Sequence, residues 1–325
     1  MAKNPKYYIN NTVHFVTSRT EEGLPLVPTH VMNLLIEGIL AKATEMYRVK
    51  LCDYLFMANH FHMLIVVEDP QHVSAFVGYV KGEIAHAVNK MLGRIRKTIW
   101  LEGYDSPIIL TPEDVIRYIK YLYLNPIKAK LVESIDEYPG VSSWKMFSNN
   151  IHTKKCIKIS RDKILPIPHP ALSVVEQREL CDHYKAQNSS KVVLKVEPLA
   201  WVQCFPGYNV DKEELKERII KLIHEEEKAY QMKRVSLKET VLGATTLRRQ
   251  SMLKEHHSKK FSKRMICISS CKDLRHRFIA HFKELCAIAR QVYQTWKTGD
   301  LRPKIPPGFF PPKIPILYSA LLEIY

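Results

Sequence analysis

The chain is 325 residues long, 46% hydrophobic, with 49 basic against 33 acidic residues and a formal net charge of +16. That length accommodates two domains, each able to bury a core, and the apolar content excludes a disordered chain. No apolar run approaches the roughly 18 residues that span a bilayer and Met1–Lys6 lacks a signal-peptide core, so a cytoplasmic protein without membrane partners is expected; the charge points to a polyanion, although ribosomal or membrane-surface contact would satisfy charge alone.

In chain order, residues 8–19 read as a strand, and residues 29–47 as a helix, with Val31, Leu34, Leu35 and Ile39 at helical spacing. Residues 51–67 read as two strands with a turn near Ala58-Asn59. A second helix is predicted over 71–92 with Val73, Phe76, Val77 and Val80 on one side, Gly82 weakening its middle and Gly93 marking its end. The stretch 100–110 is irregular or extended, interrupted by Gly103 and Pro107. Thr111 suits an N-cap, Pro112 the first helical position, and Glu113 and Asp114 the first turn. That helix is expected to end near Leu124, because Pro126 disfavours helical geometry at Asn125 and removes a donor. The order suits an α+β domain over residues 1–150, a sheet covered by helices.

Residues 151–325 read as a basic, mainly helical region and a possible auxiliary DNA-binding domain. Residues 154–170, with Pro166, Pro168 and Pro170, read as a linker, and 212–231 as a helix. Residues 234–264 carry Lys238, Arg248, Arg249, Lys254, Lys259, Lys260, Lys263 and Arg264 against Glu239 and Glu255. Within it, 236–253 hints at a helix-turn-helix that turns Arg248 and Arg249 toward DNA; a solvated basic helix face is the competing reading. A further helix is expected over 274–296, and 303–315 is an extended, proline-rich tail. Seven scattered cysteines fit reduced thiols, and Cys267, Cys271, His276 and His281 match no familiar zinc spacing.

The chemistry concentrates in two places. If residues 57–67 form a strand, His60 and His62 share a face while Phe61 points to the other, so the two imidazoles can grip one metal ion. A half-exposed edge strand with its histidines in water satisfies the same spacing. On the helix after Pro112, Tyr121 and Asn125 lie four apart and so share a face, a phenol beside an amide oxygen. A metal held by two imidazoles and an amide oxygen can polarise a phosphodiester oxygen, and a tyrosine hydroxyl can attack phosphorus in line to leave a covalent protein–DNA ester. Two histidines favour Mn2+ or another imidazole-tolerant ion, with Mg2+ possible in a weak site.

At these residues the chain resembles the HUH-type single-tyrosine transposases, and within them the REP-associated branch. The resemblance rests on four ordered stretches: residues 13–19, 57–62, 121–132 and 138–144. It implies a ferredoxin-like HUH domain, usually a homodimer, that uses a divalent metal (Mg2+ or Mn2+) to cleave and rejoin single-stranded DNA near a hairpin. It makes Tyr121 the nucleophile of a 5′-phosphotyrosine link and His60, His62 and Asn125 the metal ligands. Tyr118 and Tyr123 are nearby phenols, but only Tyr121 stands four before the Asn125-Pro126 pair. Arg19, Lys120 and Lys128 are expected to touch nucleic acid together with the basic residues of 234–264. Lys130 departs from the family, where glycine is common, and Ala58 where proline is frequent. Two other functions remain open at this level: a hairpin-binding repressor or architectural factor that does not cut, and a relaxase or replication-initiator nickase. The latter usually carries a third histidine and often two catalytic tyrosines.

Overall fold

The computed structural model describes residues 5–187, 190–256 and 264–310. β1 (Val13–Arg19), α1 (His30–Met46), β2 (Val49–Met57), β3 (His60–Val67), α2 (Pro70–Met91) and β4 (Ile108–Ile109) follow one another along the chain. Their sheet runs β2-β3-β1-β4 with every neighbour antiparallel, so β3 lies between β2 and β1 and each crossover helix joins strands that are not adjacent. This is the ferredoxin-like α+β arrangement. A short strand from the far end of the chain, β7 (Cys267–Ile268), extends the sheet in parallel beside β4; the two strands between β4 and β7 form a separate sheet.

The helix starts follow cap chemistry. Thr29 accepts from the Met32 amide ahead of α1, and Asp69 from Gln71 ahead of α2. Thr111 accepts from the Asp114 amide ahead of α3 (Pro112–Lys128), whose first residue is proline. Strand pleating then sorts the apolar residues. Phe61, Met63, Ile65 and Val67 of β3 join the core beneath α1 and α2, whereas Leu64 and Val66 join Val13 and Phe15 in the core beneath α3. Both sheet faces are therefore covered.

α3 outlasts its expected end by one turn. Pro126 lies inside it and is buried, the helix closing when the Lys130 and Leu131 amides donate to the carbonyls of Ile127 and Pro126 at 3.0 and 2.9 Å. A proline so near the C-terminus forfeits one hydrogen bond without breaking the helix, because burial of Leu124, Pro126 and Ile127 holds the last turn in place. Lys130 occupies the left-handed position that ends it, at φ 55°, the backbone state that glycine adopts without a Cβ penalty.

Residues on both sides of position 150 share both main cores. β5 (Thr153–Lys158) and β6 (Ser190–Lys195) form an antiparallel pair that packs on α1, with α5 (Val174–Ala186) between them in sequence. Gly38 of α1 is where this pair comes closest, since a Cβ there would stand 2.1 Å from the Ile157 carbonyl oxygen. Residues 154–170 are thus a strand and a packed return, not a free linker: Ile159 and Ile164 are buried with Tyr184 and Leu194 in the α1 core. α6 (Lys212–Leu237) buries Leu215, Ile219 and Ile223 with Trp201 in the α3 core.

The helix-turn-helix reading of 236–253 does not hold. α6 continues to Leu237, and the following chain is tied to the end of α3 by the Leu242 and Gly243 amides, which donate to Lys130 and Leu131. The second helix, α7 (Ala244–Arg248), has only five residues, too short to lie along a groove. α8 (Lys272–Lys297) packs Phe282 and Cys286 against Phe309 and Tyr7, so the proline-rich stretch is anchored up to there; 311–315 lie outside the described residues. The seven cysteines are free thiols, and no described helix is long and apolar enough to cross a membrane.

One buried polar cluster sits beneath α3. A register shift between Leu51 and Asp53 in β2 accompanies an Asp53 side chain in the interior, where Oδ1 accepts from the Tyr123 hydroxyl at 2.5 Å and Oδ2 has no partner. Burial pushes this carboxyl from 3.8 up to about 7, although the Tyr123 hydrogen bond opposes the rise. Between those values the folded chain keeps a proton that the unfolded chain has lost, so stability falls as pH rises through that window and levels off above it. At about 1.4 kcal/mol per pH unit the loss amounts to about 4 kcal/mol. Urea unfolding at pH 4 and pH 8 is expected to show this fall in the wild type and to show it largely absent in Asp53→Asn; an equal fall in both would rule out Asp53 as its source.

Candidate active site

Pleating of β3 turns His60 and His62 onto the α3 face, with ring centroids 4.8 Å apart and planes at 78°. His62 is 5% exposed, stacks on Phe15 at 5.1 Å and meets the Tyr121 ring edge-on at 5.5 Å. Its Nε2 lies 3.1 Å from the Asn125 side-chain amide. The Nδ1 of His60 is 2.7 Å from Asn59 Oδ1. Donation by Nδ1–H to that oxygen leaves Nε2 of His60 with its lone pair free.

Burial lowers the His60 pKa to about 4, assisted by the positive charges of Arg19 and His256. Burial, with His60 and Arg19, drives His62 well below its ordinary value. Both rings are neutral at pH 7, the protonation state that binds metal.

The donor set fits a divalent cation. Two donors at right angles on one ion, each about 2.1 Å away, are about 3.0 Å apart, which matches the spacing of His62 Nε2 and the Asn125 amide once its oxygen is turned inward. No third His, Cys, Asp or Glu joins them among the described residues. A site with Asn125 as its third protein ligand keeps positions open for phosphate and water and binds its ion weakly.

Three tyrosines on α3 have different surroundings. Tyr123 is fully buried, its hydroxyl bound between Asp53 and Ser143 at 2.5 and 2.8 Å. Tyr118 is half-buried against Phe15 and Tyr121, with ring centroids at 4.8 and 5.9 Å, and burial raises its pKa. Tyr121 is 39% exposed while its ring touches both His62 and Phe15. It alone combines access from solvent with contact to the imidazole pair.

Of the basic residues expected at DNA, Arg19 stands directly opposite His60 in the β1–β3 register, and its guanidinium has no partner among the described residues. Lys120 and Lys128 both pair with Glu226 of α6, at 2.9 and 3.3 Å, and the Lys128 Nζ lies 5.5 Å from the centre of the Tyr121 ring. Arg248 instead donates to the Pro28 carbonyl at 3.1 Å, and Arg264 pairs with Asp105 at 2.9 Å and donates to Glu102. These two arginines brace the fold, because their guanidiniums find oxygens left over by the strands and loops beside them. Arg249 and Lys254 are exposed, while Lys259, Lys260 and Lys263 lie outside the described residues.

Sequence reasoning missed Asn59, Phe15 and Glu226. Asn59 was legible as a polar residue beside His60 at the turn. Nothing local marks Glu226, which reaches α3 from about a hundred residues away in sequence.

Residues 8–122 match the model of the family described as "Transposase IS200 like". The matched segment includes His60, His62 and Tyr121 and stops before Asn125. Among solved structures, one titled as the REP-associated tyrosine transposase bound to a REP hairpin is 18% identical, with 46% of this chain and 86% of that chain covered at a TM-score of 0.40. A putative transposase from Deinococcus radiodurans R1 is also 18% identical, with 38% of this chain and 97% of that one covered at a TM-score of 0.25. No curated protein matches the chain.

Proposed function

We propose that this chain, whose residues 8–122 form a domain of the IS200-like transposase family, is a metal-dependent transposase that cleaves and rejoins single-stranded DNA near hairpins. The observation that carries the reading is the convergence of Tyr121 and Asn125 on the same buried imidazole, His62, from a separate element of the fold. A Mg2+ or Mn2+ ion on His60, His62 and Asn125 would polarise the scissile phosphate.

The remaining work falls to side chains. Tyr121 Oη attacks phosphorus, giving up its proton to water as the O–P bond forms, and the 3′-oxygen of the strand leaves as a hydroxyl. The energy of the broken phosphodiester is kept in the 5′-phosphotyrosine, so attack by a second 3′-hydroxyl reverses the step and rejoins DNA. Arg19, opposite His60 in the β1–β3 register, would hold a non-bridging oxygen of that phosphate. Phe15 backs the His62 ring and limits its rotation. Lys120 and Lys128 keep their charge shared with Glu226 at the flank of the tyrosine helix and would meet the neighbouring phosphates. The active form is taken to be a homodimer, from the family resemblance.

Incubation of the protein with Mn2+ and a hairpin oligonucleotide labelled at its 3′ end is expected to transfer the label to the protein, stable to boiling in detergent. Hairpin binding with no transfer under Mg2+ or Mn2+ would replace this reading with that of a non-cleaving hairpin-binding factor.

A further inference from the structure

α1, α5 and the β5–β6 pair enclose a groove of about 1070 Å³ on the side of the sheet opposite Tyr121. Its floor is apolar, with Leu34, Ile157, Cys181 and Val192, and its walls are basic. Five cations line it against two carboxylates. Lys154 is paired with Glu37 and Lys185 with Asp182, which leaves Lys155, Arg178 and Lys191 exposed and without an acidic partner among the described residues. Arg248 and His30 stand at one end, where burial and then the positive charges of Arg248, Arg178 and Lys185 lower the His30 pKa.

We propose that this groove binds the phosphate backbone of double-stranded nucleic acid, the paired stem of a hairpin or the duplex flanking it, as a site separate from the one that receives the cleaved strand. Three unpaired cations around an open channel, in a chain of net charge +16, call for a polyanion. A single strand would be gripped by stacking its bases on aromatic rings, and no Phe, Tyr or Trp lines the channel. That leaves the regularly spaced phosphates of a duplex, read by charge and shape. Because α1 and the sheet lie between this groove and Tyr121, a nucleic acid held here leaves the tyrosine face free. The three free cations stand on β5, α5 and β6, beyond the segment that matches the transposase family, so the charge of the groove comes from this chain's C-terminal half while α1 supplies the remaining wall.

The inference rests on the reading of DNA as the partner but not on Tyr121 chemistry, and its test keeps the two apart. Fluorescence anisotropy of the full chain with a blunt, tail-free duplex is followed as a function of salt. Replacing Lys155, Arg178 and Lys191 together by alanine is expected to weaken binding about 100-fold at 0.1 M salt and to lower the log–log salt slope by about 2 to 3. The charge-preserving triple, Lys155→Arg, Arg178→Lys and Lys191→Arg, should retain affinity within a few-fold. A control triple on the outer face of α6, Lys212→Ala, Lys221→Ala and Lys228→Ala, should leave the slope nearly unchanged. Equal losses in the groove and control triples, or an unchanged slope in the groove triple, would overturn the site. Label transfer to Tyr121 from the 3′-labelled hairpin oligonucleotide at saturating concentration should survive the groove triple, so failure of the wild type to form any adduct counts against the catalytic reading alone.

Discussion

Tyr121→Phe is expected to eliminate covalent attachment to DNA and to reduce strand cleavage by at least about 10⁴-fold, with hairpin binding changed by less than about threefold. The substitution removes one oxygen from a partly exposed ring and leaves the contacts with His62 and Phe15 in place. Packing and metal-site geometry therefore stay as they are, and only the nucleophile is lost. The neighbouring tyrosines separate chemistry from structure. Tyr118→Phe should retain attachment. Tyr123→Phe strips the buried Asp53 carboxyl of its donor and is expected to lower stability by about 1 to 3 kcal/mol while the adduct still forms. Attachment that persists in Tyr121→Phe and disappears in Tyr118→Phe would transfer the nucleophile's role.

Loss of the imidazole pair is the second large effect. His62→Ala is expected to abolish Mn2+ binding measured by calorimetry and, with it, label transfer, and a chelator should do the same to the wild type. His62 is one of the proposed ligands and also forms the contact between β3 and both Tyr121 and Asn125. Asn59→Ala should be milder, about 10- to 100-fold in Mn2+ affinity, because it removes only the acceptor that orients the His60 ring. The pH profile gives an independent readout. An ordinary histidine site loses its metal as pH falls through about 6.5, but burial holds His60 neutral down to about 4 and also drives His62 well below its ordinary value. Mn2+ binding is therefore expected to persist at pH 5.5. Cleavage at full rate in excess chelator would remove the metal from the mechanism.

The parts of the site that were legible in the sequence obey short-range rules. Alternation along a strand put His60 and His62 on one side and Phe61 on the other, and helical spacing put Tyr121 over Asn125. Thr111 marks a helix start because a side-chain oxygen one turn ahead satisfies a bare amide. Two local rules misled. Pro126 was expected to stop α3, yet burial of the last turn outweighed one missing hydrogen bond. The prolines and lysines of 154–170 resemble a linker, and only Gly38 of α1, far away in sequence, shows that β5 is received there.

By itself, then, the amino-acid order determined the main strands and helices up to about Leu124, the shared face of the two histidines, and the pairing of a tyrosine with an amide. Each of these depends on residues within about one turn or one pleat of one another, where backbone geometry leaves little choice. Tertiary structure decided which charges are free. Lys120 and Lys128 are shared with Glu226, and Arg248 and Arg264 are taken up by oxygens of neighbouring loops, whereas Lys155, Arg178 and Lys191 open onto a groove. A charge is available to a partner only after the fold has matched it against every oxygen within reach, and those oxygens come from segments that periodicity cannot bring together.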